Sequence, residues 1–242
     1  MYETVTAARS ELDNTTAQQR YQQYPSPDID LIAAPWGFGG TDNLAQEGAH
    51  SLLAEEELIK KLRAVGPQVN EIHPPSLGPF EIHEQPQRVR NLDAVLTVNN
   101  WLADTVKNSV KSGHLPIVLG GDGSLCLGSV AGLIEHYGKD KIGIIWLSNH
   151  LCNSSPRVTK SWNANRMVFT VLTYDQPGKH EDFKTLIAFR NLANPILDKS
   201  QIVHIGINHK SAQEIASHKF FTMEDVAELG IRQVIKLAIA HL

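Results

Sequence analysis

The sequence is poor in the features that mark several classes of protein. Only two cysteines occur in 242 residues, which excludes a disulfide framework and fits a reducing compartment such as the cytoplasm. The longest apolar runs, 31–36 and 142–147, are far below the roughly 20 residues of a membrane-spanning helix. Lys and Arg number 22 against 26 Asp and Glu, so no basic excess points to nucleic acid or to an anionic membrane surface. The sequence also lacks internal repeats and low-complexity tracts.

What remains is the composition of one ordinary globular domain, with 42% hydrophobic and 20% charged residues. Residues 1–27 are polar, show no secretory h-region and are expected to form a leader, followed by a single domain over 28–242. Apolar runs at 29–35, 68–73, 115–120, 141–147, 167–174 and 201–207 predict strands. Periodic segments at 48–65, 88–112, 124–137, 182–194, 211–218 and 222–242 predict helices, the last with a break near Gly230. This alternation predicts an α/β fold of three layers, a doubly wound parallel sheet with helices on both faces.

Two of the predicted strands carry a stronger signal than the others. Residues 115–120 and 142–147 show no polar alternation, which is typical of strands covered on both faces. Ligands of parallel α/β sheets bind at the carboxyl ends of the strands, so the residues that follow are the functional candidates.

The candidate positions allow structural and functional interpretations. Asp122, after Gly120-Gly121, suits a helix cap or a group that orients a ligand. Glycines 37–40 suit a tight turn or a loop that approaches a ligand. His204 lies within a strand and is expected in the core, whereas His209 and Lys210 lie past the strand end and suit either the crevice or a solvated surface.

His150 and Cys152 follow the strand that ends at Leu147. Two residues apart in an extended segment, they would point the same way and could bind Zn²⁺ or Cu(I). A Cys/His nucleophilic dyad is a second interpretation, and a polar loop with one satisfied histidine is the third.

These segments together resemble the arginase/agmatinase (ureohydrolase) family. Residues 116–125 resemble its Gly-Gly-Asp-His-Ser motif, and 144–152 resemble its Trp-x-Asp-Ala-His-x-Asp motif. Residues 161–163 are similar to the Ser-Gly-Asn of its substrate loop, so Ser161 and Asn163 are expected to line a remnant pocket. The resemblance covers about 29–242 and implies the ureohydrolase fold.

The resemblance also implies a chemistry, in which two Mn²⁺ ions held by His and Asp carry a hydroxide that attacks a guanidinium carbon. The matching ligand positions here are changed: the first motif histidine falls on Gly123, and the two aspartates fall on Ser148 and Cys152. Only His150 keeps a ligand. The family's Asp-x-Asp motif would follow Leu242, so the fold is expected to be incomplete at its C-terminal side.

Three further family positions are also altered. The proton-shuttling histidine falls on Asn165, which cannot titrate. The asparagine after the metal motif falls on Ser154, and the aspartate that holds the substrate amino group falls on Ser211. The expected remnant pocket therefore comprises Asp122, Ser148, Cys152, Ser154, Ser161, Asn163 and Ser211.

We expect an arginase-like protein that has lost the binuclear site and arginine hydrolysis, with no cofactor and with a binding or regulatory role. Two alternatives remain: an active Mn²⁺-dependent ureohydrolase that releases urea, and a pocket repurposed for a small molecule. The family implies a homo-oligomer, or a hetero-oligomer with an arginase-like chain.

Overall fold

A computed structural model describes residues 26–41, 45–65, 68–77, 80, 89–155, 159–173, 184–186, 188–191, 196–208 and 218–242. The strands are β1 (Ile29–Ala34), β2 (Val69–Ile72), β3 (Leu115–Gly120), β4 (Ile144–Leu147), β5 (Ile202–Ile207) and β6 (Lys219–Thr222). The helices are α1 (Ala45–Leu53), α2 (Glu56–Val65), α3 (Leu92–Lys111), α4 (Cys126–Tyr137), α5 (Val168–Thr173), α6 (Met223–Leu229) and α7 (Ile231–His241). No helix of these described ranges is both long and apolar enough to cross a membrane.

All of the described strand pairs are parallel. One sheet has the order β2-β1-β3, with Ile29 opposite both Val69 and Leu115, and the other has the order β4-β5-β6. Helices cover both faces: α3 and α1 contact the first sheet, and α7 packs Val234 and Ala238 on the second. The α/β fold with parallel strands and flanking helices is confirmed.

The sheet differs from the expected one in its continuity. Within the described ranges, backbone pairing stops at β3 on one side and at β4 on the other, so the strands form two sheets of three. The open edges therefore lie between β3 and β4, not only at the margin of a single sheet. The central strands β1 and β5 are almost fully buried, whereas β3 and β4 are only partly buried despite their apolar sequences.

The crossover helix α4 packs closely on α3 because two glycines leave room for the contact. A Cβ atom on Gly128 would lie 2.6 Å from the carbonyl oxygen of Asn99, and one on Gly132 would lie 2.4 Å from that of Ala103. Both distances are too short for any side chain. The Gly128 N–H also donates to the Asn99 side-chain oxygen at 2.7 Å, so a buried polar group is satisfied at this contact.

Two predicted elements were wrong. The helix over 48–65 is two helices, because the chain leaves helical geometry at Ala54 and Glu55. The strand over 167–174 is instead the buried helix α5. Its residues 168–172 are all buried because the core encloses it, and a short, mostly apolar run cannot be assigned to strand or helix by periodicity.

Other elements occur where the sequence predicts them, with shifts at their ends. The helix expected at 88–112 begins at Leu92, and that at 124–137 begins with a 3₁₀ turn over Gly123–Leu125. The last helix breaks at Gly230, whose φ of 77° suits glycine. Thr222 and Asp225 form the reciprocal hydrogen bonds of a capping box.

Some predicted segments lie outside the described residues. The helix expected at 211–218 lies almost wholly outside them, as do residues 1–25 of the expected leader, and only parts of 182–194 are described.

Two histidines form a buried pair between β5 and β6, which confirms the core position expected for His204. His204 is fully buried, His218 nearly so, and their nitrogens Nε2 and Nδ1 lie 3.1 Å apart. Burial, with a smaller contribution from His218, lowers the pKa of His204 to about 4. Burial and the positive charge of Lys199 also lower the pKa of His218.

This pair predicts a loss of stability in mild acid. The unfolded chain takes up protons near the ordinary pKa of 6.5 whereas folded His204 does so near 4, so stability is complete above about pH 6.5 and falls below it. Between pH 7.5 and 5, His204 alone should cost about 2 kcal/mol of unfolding free energy, measured by urea denaturation at each pH. His204→Phe should remove most of this slope. His136→Gln, which changes an exposed imidazole on α4, should keep it, and equal slopes in all three proteins would contradict the assignment.

Candidate functional site

The two segments that resemble metal motifs lie at the carboxyl ends of β3 and β4. The chain leaves β3 through Gly121 and Asp122, turns at once into a 3₁₀ turn and α4, and returns in β4. A Cβ atom on Gly121 would lie 2.4 Å from the carbonyl oxygen of Trp36, so this turn requires glycine to pass the loop after β1. The strand ends, as expected for a parallel fold, hold the candidate residues.

Asp122 fixes this turn by accepting backbone hydrogen bonds. Its two carboxylate oxygens accept from the N–H of Ser124 at 2.7 Å and from the N–H of Gly39 at 2.9 Å. Burial raises the pKa of the Asp122 carboxyl above its ordinary value, against the lowering effect of these hydrogen bonds. The geometry is that of a cap that also ties the glycine-rich loop to α4.

The segment after β4 is held by backbone contacts. The Ser148 N–H donates to the carbonyl of Ile205 at 3.0 Å, and the His150 N–H donates to the Ser148 hydroxyl at 3.0 Å. Cys152 has a φ of 50°, so the segment is not extended and His150 and Cys152 are not alternate residues of a strand. The sequence analysis assumed an extended segment in which the side chains of His150 and Cys152 point the same way, and that assumption is wrong. His150 is exposed.

A polar pocket of about 300 Å³ lies beside this segment. It brings together five of the residues that the sequence selects: His150, Cys152, Ser154, Asn163 and Asn165.

Other residues of the pocket wall were missed by the sequence analysis. They include Thr41, Arg166 and Asn208. Asn208 stands directly after β5, and its place at a strand end was the available signal. Thr41 and Arg166 had no signal beyond proximity to a glycine-rich turn and to Asn165.

The remaining selected residues lie elsewhere. Asp122 and Gly123 line a separate groove between β3 and β4, together with Trp146. Ser148 does not line the polar pocket, and Ser161 contacts the Thr159 hydroxyl at 3.1 Å. Ser211, like 209 and 210, lies outside the described residues.

Two asparagines leave buried oxygens without a partner in the pocket wall. Asn163 is 1% exposed and donates through Nδ2 to the Thr41 hydroxyl at 2.8 Å, while its Oδ1 has no partner among the described residues. The Oδ1 of Asn165 is likewise unpaired in that part of the chain. A buried polar atom without a hydrogen bond costs free energy, so a bound polar group would stabilise this wall.

The electrostatics of the pocket differ from those of a cation site. None of its described lining residues carries a carboxylate, and Arg166 contributes a positive charge. Burial raises the pKa of Cys152 to about 11 and that of Cys126 to about 12, so both thiols are protonated at neutral pH. Over the described ranges, no group of three or more His, Cys, Asp and Glu residues is arranged to hold a metal ion.

Comparison with known proteins identifies the family. The Arginase family model matches residues 17–242. A Staphylococcus aureus arginase (strain COL) is 31% identical over 222 residues, which are 88% of this chain and 70% of that protein. The crystal structure of Bacillus caldovelox arginase is 26% identical with a TM-score of 0.73, covering 89% of this chain and 71% of that chain. Bacillus subtilis arginase gives a TM-score of 0.69 at 27% identity, covering 89% and 70%.

The family match spans nearly the whole chain, and the fold of the solved arginases agrees with the parallel strands, crossover helices and strand-end loops described above. This chain belongs to the arginase family.

Proposed function

We propose that this chain is a non-catalytic member of the arginase family with a binding or regulatory role. The observation that carries the proposal is the identity of the residues at the metal-motif positions. Gly123 offers no donor atom, Ser148 offers a neutral hydroxyl, and Cys152 offers a partly buried thiol. His150 is the only residue of these positions that keeps the donor type of the family.

The charge balance also opposes a pair of manganese ions. Two divalent ions bring four positive charges into a small volume, and carboxylates must offset them. The described wall of the pocket supplies none, and the Arg166 guanidinium adds repulsion. The nearby Asp122 carboxylate already accepts backbone hydrogen bonds on both oxygens. The donor set present does not fit the metal pair of the family.

Cys152 does not compensate for the lost aspartate. A cysteine binds metal as the thiolate, and with a pKa of about 11 very little thiolate forms at neutral pH. Mn²⁺ moreover prefers oxygen and imidazole ligands to sulfur. Asn165, at the position of the proton-shuttling histidine, has no titratable proton for general acid or base catalysis.

The proposal also includes a compartment and an assembly for the protein. The free thiols of Cys126 and Cys152 support a reducing compartment such as the cytoplasm. The family resemblance supports assembly with a second copy or with an arginase-like chain.

The proposal predicts no arginase chemistry. The purified chain, incubated with Mn²⁺ and passed through gel filtration, should retain no manganese by elemental analysis, because the ligands for it are absent. Incubated with arginine and Mn²⁺, it should release no urea above the rate of buffer. Bacillus caldovelox arginase, treated identically, is the positive control. Retention of two metals per chain together with urea release would show that the chain is an active ureohydrolase.

A variant with the family's side chains restored tests whether the changed ligand positions decide metal binding. Gly123→His, Ser148→Asp and Cys152→Asp together restore the donors at the changed positions. A Cβ atom on Gly123 would lie 3.4 Å from the Trp146 ring, which is an ordinary van der Waals contact. Calorimetric titration should show at least about tenfold tighter Mn²⁺ binding than the unchanged chain. Equal affinity of both proteins would show that these positions do not decide metal binding.

A second candidate function, binding of a small polar molecule, is favoured by the unpaired oxygens of Asn163 and Asn165. Their pocket holds about 300 Å³, and most of its other lining residues carry an amide or a hydroxyl, with one guanidinium, one imidazole, one thiol and one leucine side chain. A ligand with several hydrogen-bonding groups, such as a guanidino compound or an amino acid, suits such a wall.

This candidate predicts a ligand-dependent rise in thermal stability. In a thermal-shift screen of guanidino compounds and amino acids, a ligand at 100 times its Kd would add about 2.7 kcal/mol of stability. Asn165→Ala should abolish the shift, whereas Asn149→Ala, which changes an exposed residue on the pocket rim, should reduce it only slightly. The absence of any shift across the screen would dismiss this candidate and leave the non-catalytic assignment unaffected.

A further inference from the structure

The polar pocket beside the segment after β4 has a buried floor and an exposed rim. On the floor, Asn163 is 1% exposed and Asn165 is half-buried, and each leaves a buried side-chain oxygen unpaired among the described residues. The side chains of His150 and Arg166 line the same pocket and are exposed. The pocket therefore offers neutral hydrogen-bond acceptors in its depth and a guanidinium at its mouth.

The backbone of Arg166 is fixed between two parts of the pocket wall. Its N–H donates to the carbonyl of Asn163 at 3.1 Å, and its own carbonyl accepts from the N–H of Ser154 at 2.7 Å. Burial raises the pKa of the Cys152 thiol, and the positive charge of Arg166 opposes that effect, so the charge reaches the pocket. Over the described ranges, no carboxylate forms an ion pair with this guanidinium.

The floor of the pocket disfavours a cationic group. A guanidinium or ammonium ion placed there would lose its hydration and meet only neutral oxygens, because no described lining residue carries a carboxylate. The Asp122 carboxylate lines a separate groove. An uncharged N–H donor, as in a carboxamide or a urea, would make the same hydrogen bonds to Asn163 and Asn165 without burying a charge.

The rim favours a carboxylate over other anions. A guanidinium binds a carboxylate through two parallel hydrogen bonds, and this geometry suits a single arginine. A phosphate dianion would bring twice the charge, whereas Arg166 is the one permanently charged cation among the described lining residues. The two levels of the pocket thus call for two different groups on one ligand.

We propose that the polar pocket binds a small carboxylic acid that also carries an uncharged amide or ureido group, and that it discriminates against the guanidino analogue of the same acid. The carboxylate is held by Arg166, and the neutral N–H groups are held by Asn163 and Asn165. The inference rests on the second candidate function above, binding of a small polar molecule, and narrows its ligand class. It gives the pocket a charge preference opposite to that of a site for a guanidinium ion.

The test compares three compounds of one skeleton on the full chain, by calorimetric titration without added metal. In γ-ureidobutanoate both groups are present, in γ-guanidinobutanoate the neutral group is replaced by a cation, and in butylurea the carboxylate is missing. We expect one γ-ureidobutanoate to bind per chain, at least about tenfold more tightly than either of the other two compounds.

Variants assign the two ends of the ligand. Arg166→Gln should weaken binding of γ-ureidobutanoate at least about threefold, toward the affinity of butylurea, because an exposed guanidinium contributes modestly. Arg232→Gln makes the same change of charge at an exposed position on α7, outside the pocket, and should leave the affinity within about twofold. Asn165→Leu removes a floor acceptor and should weaken γ-ureidobutanoate at least about fivefold. If Asn165→Leu does not fold, the comparison of the three compounds on the unchanged chain decides.

Three results would overturn the inference. Equal or tighter binding of γ-guanidinobutanoate or of butylurea would refute the charge preference and leave the second candidate function standing. Equal losses of affinity in Arg166→Gln and Arg232→Gln would refute the place of the carboxylate. Absence of binding by all three compounds would mean that solvent satisfies the floor oxygens, and the thermal-shift screen then decides the second candidate function separately.

Discussion

The crossover from β3 through α4 to β4 is the constraint on which the rest of this structure depends. It brings two strand ends that are distant in sequence to one edge of the fold, where both family motifs meet. The close contact of α4 with α3, made possible by Gly128 and Gly132, sets the position of that crossover. Asp122 then locks its start to the loop after β1 through two backbone hydrogen bonds. The positions of these strand ends are thus set by glycines and by a carboxylate that accepts backbone hydrogen bonds.

This separation explains how the chain can belong to the arginase family while its motif positions carry other side chains. The glycines and Asp122, which shape the turn, are needed for folding whether or not a ligand is present. The shape of the turn does not depend in this way on the side chains at the positions of Gly123, Ser148 and Cys152. A glycine, a serine that accepts one backbone N–H and a thiol packed against the core all satisfy their local surroundings. Side chains other than those of the family at these positions are therefore compatible with the surrounding strands and helices.

Much of the fold could be predicted from the sequence, because strongly apolar segments alternate with periodic ones. The strands from Ile29, Leu115 and Ile202 and the helix break at Gly230 have unambiguous local signals. The α5 segment was wrongly predicted because a short helix enclosed by the core lacks the exposed, charged face that would reveal its period. The division between β3 and β4 also had no local signal, since both strands have sequences suited to burial and pairing is decided by distant residues.

The candidate site was predictable to the extent that it follows strand ends. His150, Cys152 and Ser154 lie in one pocket because they share a segment, and Asn163 and Asn165 join them through the turn before α5. Arg166 and Thr41 could not be found in this way, because their places depend on how two loops meet. The left-handed conformation of Cys152 was equally hidden, and it means that the segment of His150 and Cys152 is not the extended one that the sequence analysis assumed.

Paramagnetic broadening tests, at the residues concerned, the proposal that the strand-end segments do not hold manganese. Nitrogen-labelled protein is titrated with a small fraction of one equivalent of Mn²⁺, and the amide signals of Gly123, Ser148 and Cys152 are followed. We expect these signals to broaden no more than those of exposed surface residues. Selective loss of these three signals at the first additions of Mn²⁺ would contradict it.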